Sequence, residues 1–347
     1  MKRHLLFLAA LLIVNLAASA QKKFSVYAVG FYNQENLFDT CHDEGKKDYE
    51  YLPNKGWNGM KYTNKLRNMS KALADMGTDV LPNVGCAFIG LSEVENHKVL
   101  DALVDQVPLK ARNMKYVHIE GPDRRGIDCA LLYNPSLFSV KNVKLLPYVQ
   151  ELAKDSAFFT RGFLTVRGEM AGDDVAVIVC HWPSRFSGPF YRESAARQVK
   201  VIKDSLLNVN HEMKIFVMGD MNDDPVNKSM HVYLQAKPEI SQVGAGDMYN
   251  PWYNVLAKEG KGTLFYSGNW NLFDQIVITP NLLNKDAKKK DYSSLKYWKS
   301  HIFRRDYLIQ QEGQYKGAPL RTTAGGRWLN GYSDHLPVVM YLVKEKK

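Results

Sequence analysis

Six places in this chain put an acid, an amide or an imidazole at the end of an apolar stretch. The fullest is Gly219-Asp220-Met221-Asn222-Asp223-Asp224-Pro225, entered from Ile215-Phe216-Val217-Met218. A strand ending there presents hard oxygen and nitrogen groups at a sheet edge, where ligands and catalysis usually sit. Asp220 and Asn222 alternate, so in extended backbone both face one side. Ser333-Asp334-His335-Leu336-Pro337 stands in the same relation to the apolar stretch after it. Asp, Asn, Gly and Pro are also ordinary turn formers, and either run alone reads as a solvated turn. The other four are Tyr32-Asn33-Gln34-Glu35-Asn36-Leu37, Leu91-Ser92-Glu93-Val94-Glu95-Asn96, Cys180-His181-Trp182-Pro183-Ser184-Arg185 and Phe273-Asp274-Gln275. One Glu after an apolar strand is ordinarily a solvated end residue. Six polar strand ends argue for one composite site.

The elements that must position these residues are legible as apolar runs. Strands are expected over 24–32, 86–92, 127–133, 163–168, 175–181, 215–219, 273–279 and 338–343. Helices are expected over 64–76, 98–107 and 193–207, the last with Ala195, Val199, Ile202 and Leu206 at helical spacing. Without strict strand-helix alternation the pattern argues for an α+β sandwich and against a doubly wound sheet. Residues 285–327 are basic and aromatic with no clear period, and read as a long surface excursion.

Lys2 and Arg3 precede an apolar run over 5–18, followed by the small-residue cleavage pattern Ala18-Ser19-Ala20. Residues 1–20 therefore read as a leader for export, the alternative being an uncleaved anchor. Residues 21–347 read as one domain, with no stable membrane association once the leader is gone; oligomeric state is not legible. The formal charge is +10, two units of it in the leader, a balance that suits a polyanionic partner. The four Cys show no disulfide framework, and Cys86, Cys129 and Cys180 sit in apolar runs as small core residues.

The order of motifs resembles the endonuclease/exonuclease/phosphatase superfamily, the deoxyribonuclease I-like fold. It runs Tyr32-Asn33-Gln34-Glu35-Asn36-Leu37, Leu91-Ser92-Glu93-Val94, Arg125-Gly126-Ile127-Asp128, His181-Trp182-Pro183-Ser184-Arg185, Gly219-Asp220-Met221-Asn222, Asp274 and Ser333-Asp334-His335. Each motif alone is weak; the family order of all of them carries the resemblance. It implies a four-layer sandwich of two packed mixed β-sheets with helices outside.

It also implies roles. Glu93 and Asp334 match acidic metal ligands, Asn33 matches an Asn beside the metal, and Glu35 falls where some relatives carry Asp. Hard carboxylates suit Mg²⁺, with Mn²⁺ or Ca²⁺ as alternatives. His335 matches a His that accepts a proton from water or binds the phosphate, and Asp274 the acid that pairs with it. Asp220 would orient the nucleophilic water, and Asn222 would donate to a phosphate oxygen. His181 matches the His that protonates the leaving group in relatives like deoxyribonuclease I; the apurinic-site repair branch departs from it. Asp128 is the candidate partner of His181. Arg161 and Arg185 are candidate phosphate contacts, with structural ion pairs as the alternative. Asp223, Asp224 and Glu95 read as turn or supporting residues.

The resulting expectation is an exported, metal-dependent phosphodiesterase acting on nucleic acid. A phospholipid or inositol-phosphate esterase of the same fold is the alternative. An inert binding module is disfavoured, because binding alone needs basic and aromatic groups and not this set of acids and imidazoles.

Overall fold

The apolar runs become strands because each alternates side chains between two buried faces. In β1 (Phe24–Leu37), Val29 and Phe31 point to one core, and Ala28 and Tyr32 to another. The computed structural model describes residues 23–149, 151, 158–286 and 288–346; the expected leader lies outside the described residues. The remaining strands are β2 (Phe88–Val94), β3 (Lys115–His118), β4 (Asp128–Tyr133), β5 (Phe138–Leu146), β6 (Phe163–Met170), β7 (Asp173–His181), β8 (Lys214–Asp220), β9 (Ala236–Lys237), β10 (Met248–Tyr249), β11 (Leu264–Tyr266), β12 (Asn269–Asn271), β13 (Asp274–Ile278), β14 (Lys296–Ile302), β15 (Thr323–Ala324), β16 (Arg327–Trp328) and β17 (Val338–Glu345).

They form a six-stranded sheet, β14-β17-β1-β2-β4-β3, and a seven-stranded sheet, β5-β6-β7-β8-β13-β10-β9. Both are mixed: β1 runs parallel to β2 and β7 parallel to β8, while β17 and β13 are antiparallel to β1 and β8. The inner faces share a core that includes Phe31, Phe88, Leu131, Val177, Phe216, Met218 and Met340. Burying a side chain of this size stabilises the fold by about 1.5–3 kcal/mol.

Helices cover the outer faces. Leu66, Met69 and Leu73 of α1 (Gly59–Asp75) and Leu100 and Leu103 of α2 (His97–Val104) pack on the six-stranded sheet. Ala195, Ala196 and Val199 of α4 (Pro189–Val209) pack on the seven-stranded one. The architecture is the four-layer α+β sandwich expected. Among the described residues no helix is long and apolar enough to cross a membrane.

Three expectations need correction. The helix expected over 98–107 breaks at Gln106, which is extended, and restarts as α3 (Val107–Ala111) with Pro108 in its first turn, because Pro lacks the N–H an interior position must donate. The excursion over 285–327 contains β14, an edge strand paired with β17 from Lys296↔Val343 to Ile302↔Val338. Its Lys-Tyr-Trp-Lys-Ser-His-Ile sequence hides it, since an edge strand with one wet face needs no apolar run. The same holds for β5, which was not expected. All four Cys are free, Cys41 exposed and the other three buried.

Candidate active site

The seven-stranded sheet lines up three of the expected residues in one row. His181 at the end of β7 is registered with Asp220 at the end of β8, and Asp220 with Asp274 at the start of β13. Gly219 permits this close packing, because a Cβ there would fall 2.2 Å from the carbonyl oxygen of Cys180. Asp220 Oδ1 accepts the Asn222 N–H at 2.9 Å. Asp220 Oδ2 lies 3.7 Å from His181 Nε2 and 3.8 Å from His335 Nε2, so the carboxylate stands between two imidazoles. His335 Nδ1 is 2.6 Å from Asp274 Oδ2. Asn222 Nδ2 donates to the Trp182 carbonyl at 2.9 Å, which spends one of its amide hydrogens.

The six-stranded sheet supplies the other side. The β1–β2 ladder is irregular between Asn33 and Leu37, and the β2–β4 ladder between Ser92 and Val94. Glu35, Asn36 and Glu93 therefore sit on bulges, with φ of 45°, 58° and 59°, and Asn222 has φ 49°. Bulges re-aim side chains, and left-handed non-glycine residues persist only where the surroundings over-determine them. The sheets meet where Asn33 Nδ2 donates to Asp220 Oδ2 at 3.0 Å. Ser333 Oγ donates to the Asn33 carbonyl at 2.8 Å and accepts the His335 N–H at 3.1 Å, which seats Asp334 and His335 on β1.

Burial and charge set the protonation states. Burial, with Asp274 and Glu93 nearby, pushes the Asp220 carboxyl up to about 7 against the pull of His335. Burial acts to lower His335, but Asp274 and Asp220 overcome it and hold the ring well above its ordinary value, as an imidazolium. His181 goes the other way: burial first, then Arg161, Arg125 and His335, hold it well below its ordinary value. One carboxylate thus separates a charged imidazole from a neutral one.

Several expected residues are placed differently. Asp128 is not the partner of His181; its oxygens accept from the Gly121 N–H at 3.0 Å and lie 3.1 Å from His118 Nε2, while His181 Nδ1 is buried without a hydrogen-bond partner. Asp128 opens β4 of the six-stranded sheet, opposite Val94 on β2, and the neighbouring strand β3 supplies its partner His118. Arg185 is a structural clamp, bonded to Asp224 at 2.9 Å and Asn271 at 3.0 Å and stacked on the Phe273 ring at 4.4 Å. Arg161 is likewise held, by Asp123 at 3.1 Å and the Trp182 carbonyl at 2.9 Å. Glu35 is engaged through both oxygens, by Arg321 Nε at 3.3 Å and the Thr322 N–H at 2.5 Å. Burial and then Asp334 push its carboxyl up to about 7.

Sequence reasoning missed Arg321, Thr322 and Lys65. Arg321 bridges Glu35 to Asp334, which it reaches at 3.0 Å. Lys65 on α1 is fully buried, donating to Thr322 Oγ1 and the Tyr332 carbonyl at 2.5 Å each, and burial pulls its ammonium down to about 8. Its place in the apolar stripe of α1 was the available signal. Arg125, which bonds Asn36 Oδ1, opens the Arg125-Gly126-Ile127-Asp128 motif.

Among the described residues no three His, Cys, Asp or Glu side chains are grouped closely enough to enclose a metal ion. The donor set nevertheless fits Mg²⁺, which is typically held by one or two carboxylates and completed by water and substrate oxygens. Glu93 Oε2 accepts the Asn36 N–H, while its Oε1 makes no hydrogen bond and stands 3.8 Å from His181 Nε2; Asp334 Oδ2 takes Arg321, while its Oδ1 makes no hydrogen bond and stands 3.9 Å from His335 Nε2. Those two oxygens are the ones open to a cation; Glu35 is not, and Asn33 accepts the Glu35 N–H through its Oδ1 at 2.8 Å and donates its Nδ2 to Asp220.

A family model described as "Endonuclease/Exonuclease/phosphatase family" matches residues 28–344. No curated protein matches the sequence. Among solved structures, an endonuclease/exonuclease/phosphatase family protein from Bacteroides thetaiotaomicron is similar at 14% identity and TM-score 0.55, over 94% of this chain and 100% of that one. A mannosyl-6-phosphatase from the same organism is similar at 14% identity and TM-score 0.53, over 91% and 99%. TDP2 from D. rerio, complexed with a single-strand DNA product, is similar at 11% identity and TM-score 0.52, over 92% and 99%. At these identities the likeness is one of fold.

Proposed function

This chain belongs to the endonuclease/exonuclease/phosphatase family, and from that premise we propose that it is an exported, Mg²⁺-dependent phosphodiesterase that cleaves nucleic acid by activated-water attack. That it is a phosphoesterase follows from the family. The observation that carries the finer reading is Asp220 standing 3.7 Å and 3.8 Å from two imidazoles held in opposite protonation states.

A phosphodiester resists attack because its oxygens repel an anionic nucleophile, so a site must neutralise charge, activate water and protonate the leaving oxygen. Asp220, in its ionised form, is placed to orient a water and take its proton. The His335 imidazolium, held by Asp274, offers its Nε2–H to a phosphate oxygen. His181 is neutral in the free enzyme; a bound phosphodiester anion favours its protonated form, which can then pass a proton to the leaving oxygen. A divalent cation held by Glu93 and Asp334 would supply further neutralisation of the phosphate charge. The formal charge of +10 favours a polyanionic substrate, and the leader expected at residues 1–20 supports export.

The test is a screen on single- and double-stranded DNA, RNA, sphingomyelin, phosphoinositides and a sugar phosphate, each with Mg²⁺ and with EDTA. Mg²⁺-dependent cleavage of a nucleic acid is expected. Turnover of only a lipid or a phosphomonoester would overturn the nuclease reading.

A further inference from the structure

Resting on the nuclease reading, we infer that a cleft leading away from Asp334 seats the single-stranded tract flanking the scissile phosphate, with bases on Tyr266 and Tyr315 and backbone phosphates on Arg304 and Lys316.

The cleft has two stretches. The first, about 640 Å³, is lined by Asp334 and Arg321 at one end and by Tyr266 and Tyr315 further out. The second, about 590 Å³, shares Phe265 and Tyr315 with the first and continues to Arg304 and Lys316. It therefore starts at the catalytic edge and reaches Arg304 and Lys316, and the acid lining its second stretch, Glu259, is paired with Lys261 at 2.8 Å.

Its walls are tied to the catalytic residues. Leu264 forms a bridge with His335, and the Leu336 N–H donates to the Thr263 carbonyl at 2.8 Å. From Leu264 the chain makes a hairpin of β11 and β12 whose turn residues Ser267 and Gly268 have φ of 48° and 81°, matching the right-handed twist of the strands. Tyr266 is carried at its tip, 63% exposed. The opposite wall is closed on itself by an Ile309–Pro319 bridge and by the Gly317 N–H donating to the Gln310 carbonyl at 2.8 Å, and it carries Tyr315, 52% exposed.

Among the described residues neither tyrosine stacks on another aromatic ring, and neither Arg304 nor Lys316 has an acidic partner. Exposed rings interleaved with unpaired cations are what a single strand needs, since its bases offer free π-faces and its backbone one charge per residue. A duplex hides those faces inside its stack. A lipid would require a continuous apolar wall, whereas this cleft also presents the amides of Gln310 and Gln314.

The test measures anisotropy of a labelled single-stranded 12-mer with the full chain in EDTA, alongside cleavage of the same 12-mer and of bis(p-nitrophenyl) phosphate in Mg²⁺. Tyr266→Ala and Tyr315→Ala should each weaken binding about fivefold to a hundredfold. Arg304→Ala with Lys316→Ala should flatten the salt dependence of log K by about 1.4. In each case the loss on the 12-mer should exceed the loss on the small ester at least about fivefold. Variants that bind and cleave the 12-mer like wild type would overturn the cleft assignment and leave the nuclease reading standing. So would equal losses on a duplex. A wild-type protein that turns over the small ester but neither binds nor cleaves any nucleic acid would overturn both.

Discussion

His335 Nδ1 and Asp274 Oδ2 lie 2.6 Å apart, both residues buried, and Asp220 lies 3.8 Å from the opposite nitrogen of the same ring. The imidazolium is thus held between two acids that stand side by side on neighbouring strands. If its charge serves catalysis, activity is lost as pH rises through the pKa of His335. Asp274→Asn removes the larger support, so that loss should move to lower pH in a profile of kcat/KM. A profile that instead gains activity on the alkaline side would mark His335 as the proton acceptor. Stability follows the same sign: the pairing stabilises fully below about pH 6.5 and fades as pH rises through the raised folded value. His335→Ala and Asp220→Asn should each lower turnover by on the order of a hundredfold or more, with circular dichroism unchanged.

Metal removal by EDTA should abolish activity and Mg²⁺ should restore it. Glu93→Gln and Asp334→Asn each remove an anionic oxygen open to a cation, and should raise the Mg²⁺ concentration for half-activity at least about tenfold. Glu35→Gln should act differently, since its oxygens hold Arg321 and Thr322. Its effect should appear in melting temperature more than in the metal titration.

His181→Ala should be crippled on a dialkyl phosphodiester, by roughly a hundredfold or more, and far less impaired on an ester whose p-nitrophenol leaving group needs no proton. Asp128→Asn should affect both esters alike, because Asp128 bonds His118 and Gly121. Equal losses for His181→Ala on the two esters would remove it from the acid role.

Lys65→Met should destabilise the fold by roughly 2–4 kcal/mol in urea unfolding, because it strips a buried cation from two hydrogen bonds and from the nearby Glu35 carboxyl. With its ammonium near 8, below the ordinary lysine value, the cost of burying the charge is fully present below that pH. Stability contributed at this residue should therefore rise between about pH 8 and 10 in wild type and not in Lys65→Met.

The apolar runs determined the eight expected strands, because burial on both faces leaves a run of Val, Ile, Leu and Phe that no other local structure explains. They also placed Glu93, His181, Asp220 and Asp274 at or beside strand ends and Asp334-His335 just before the last strand, whereas Asn33 lies inside β1, which runs on to Leu37. Which of these meet was decided by register: His181, Asp220 and Asp274 form one row only because β7, β8 and β13 are neighbours in one sheet. Asp128 is also a strand-end acid, yet its strand belongs to the other sheet and its oxygens go to His118. Arg185 and Arg161 have the chemistry of phosphate contacts, but acids and carbonyls folded beside them claim their guanidinium groups. Arg321 and Thr322 carried no local signal, and Lys65 only its place in the apolar stripe of α1, since the network joining positions 35, 65, 321, 322 and 334 exists only once the chain brings them together. Local sequence encodes which faces are buried; partners separated by hundreds of residues are chosen by the packing of the two sheets.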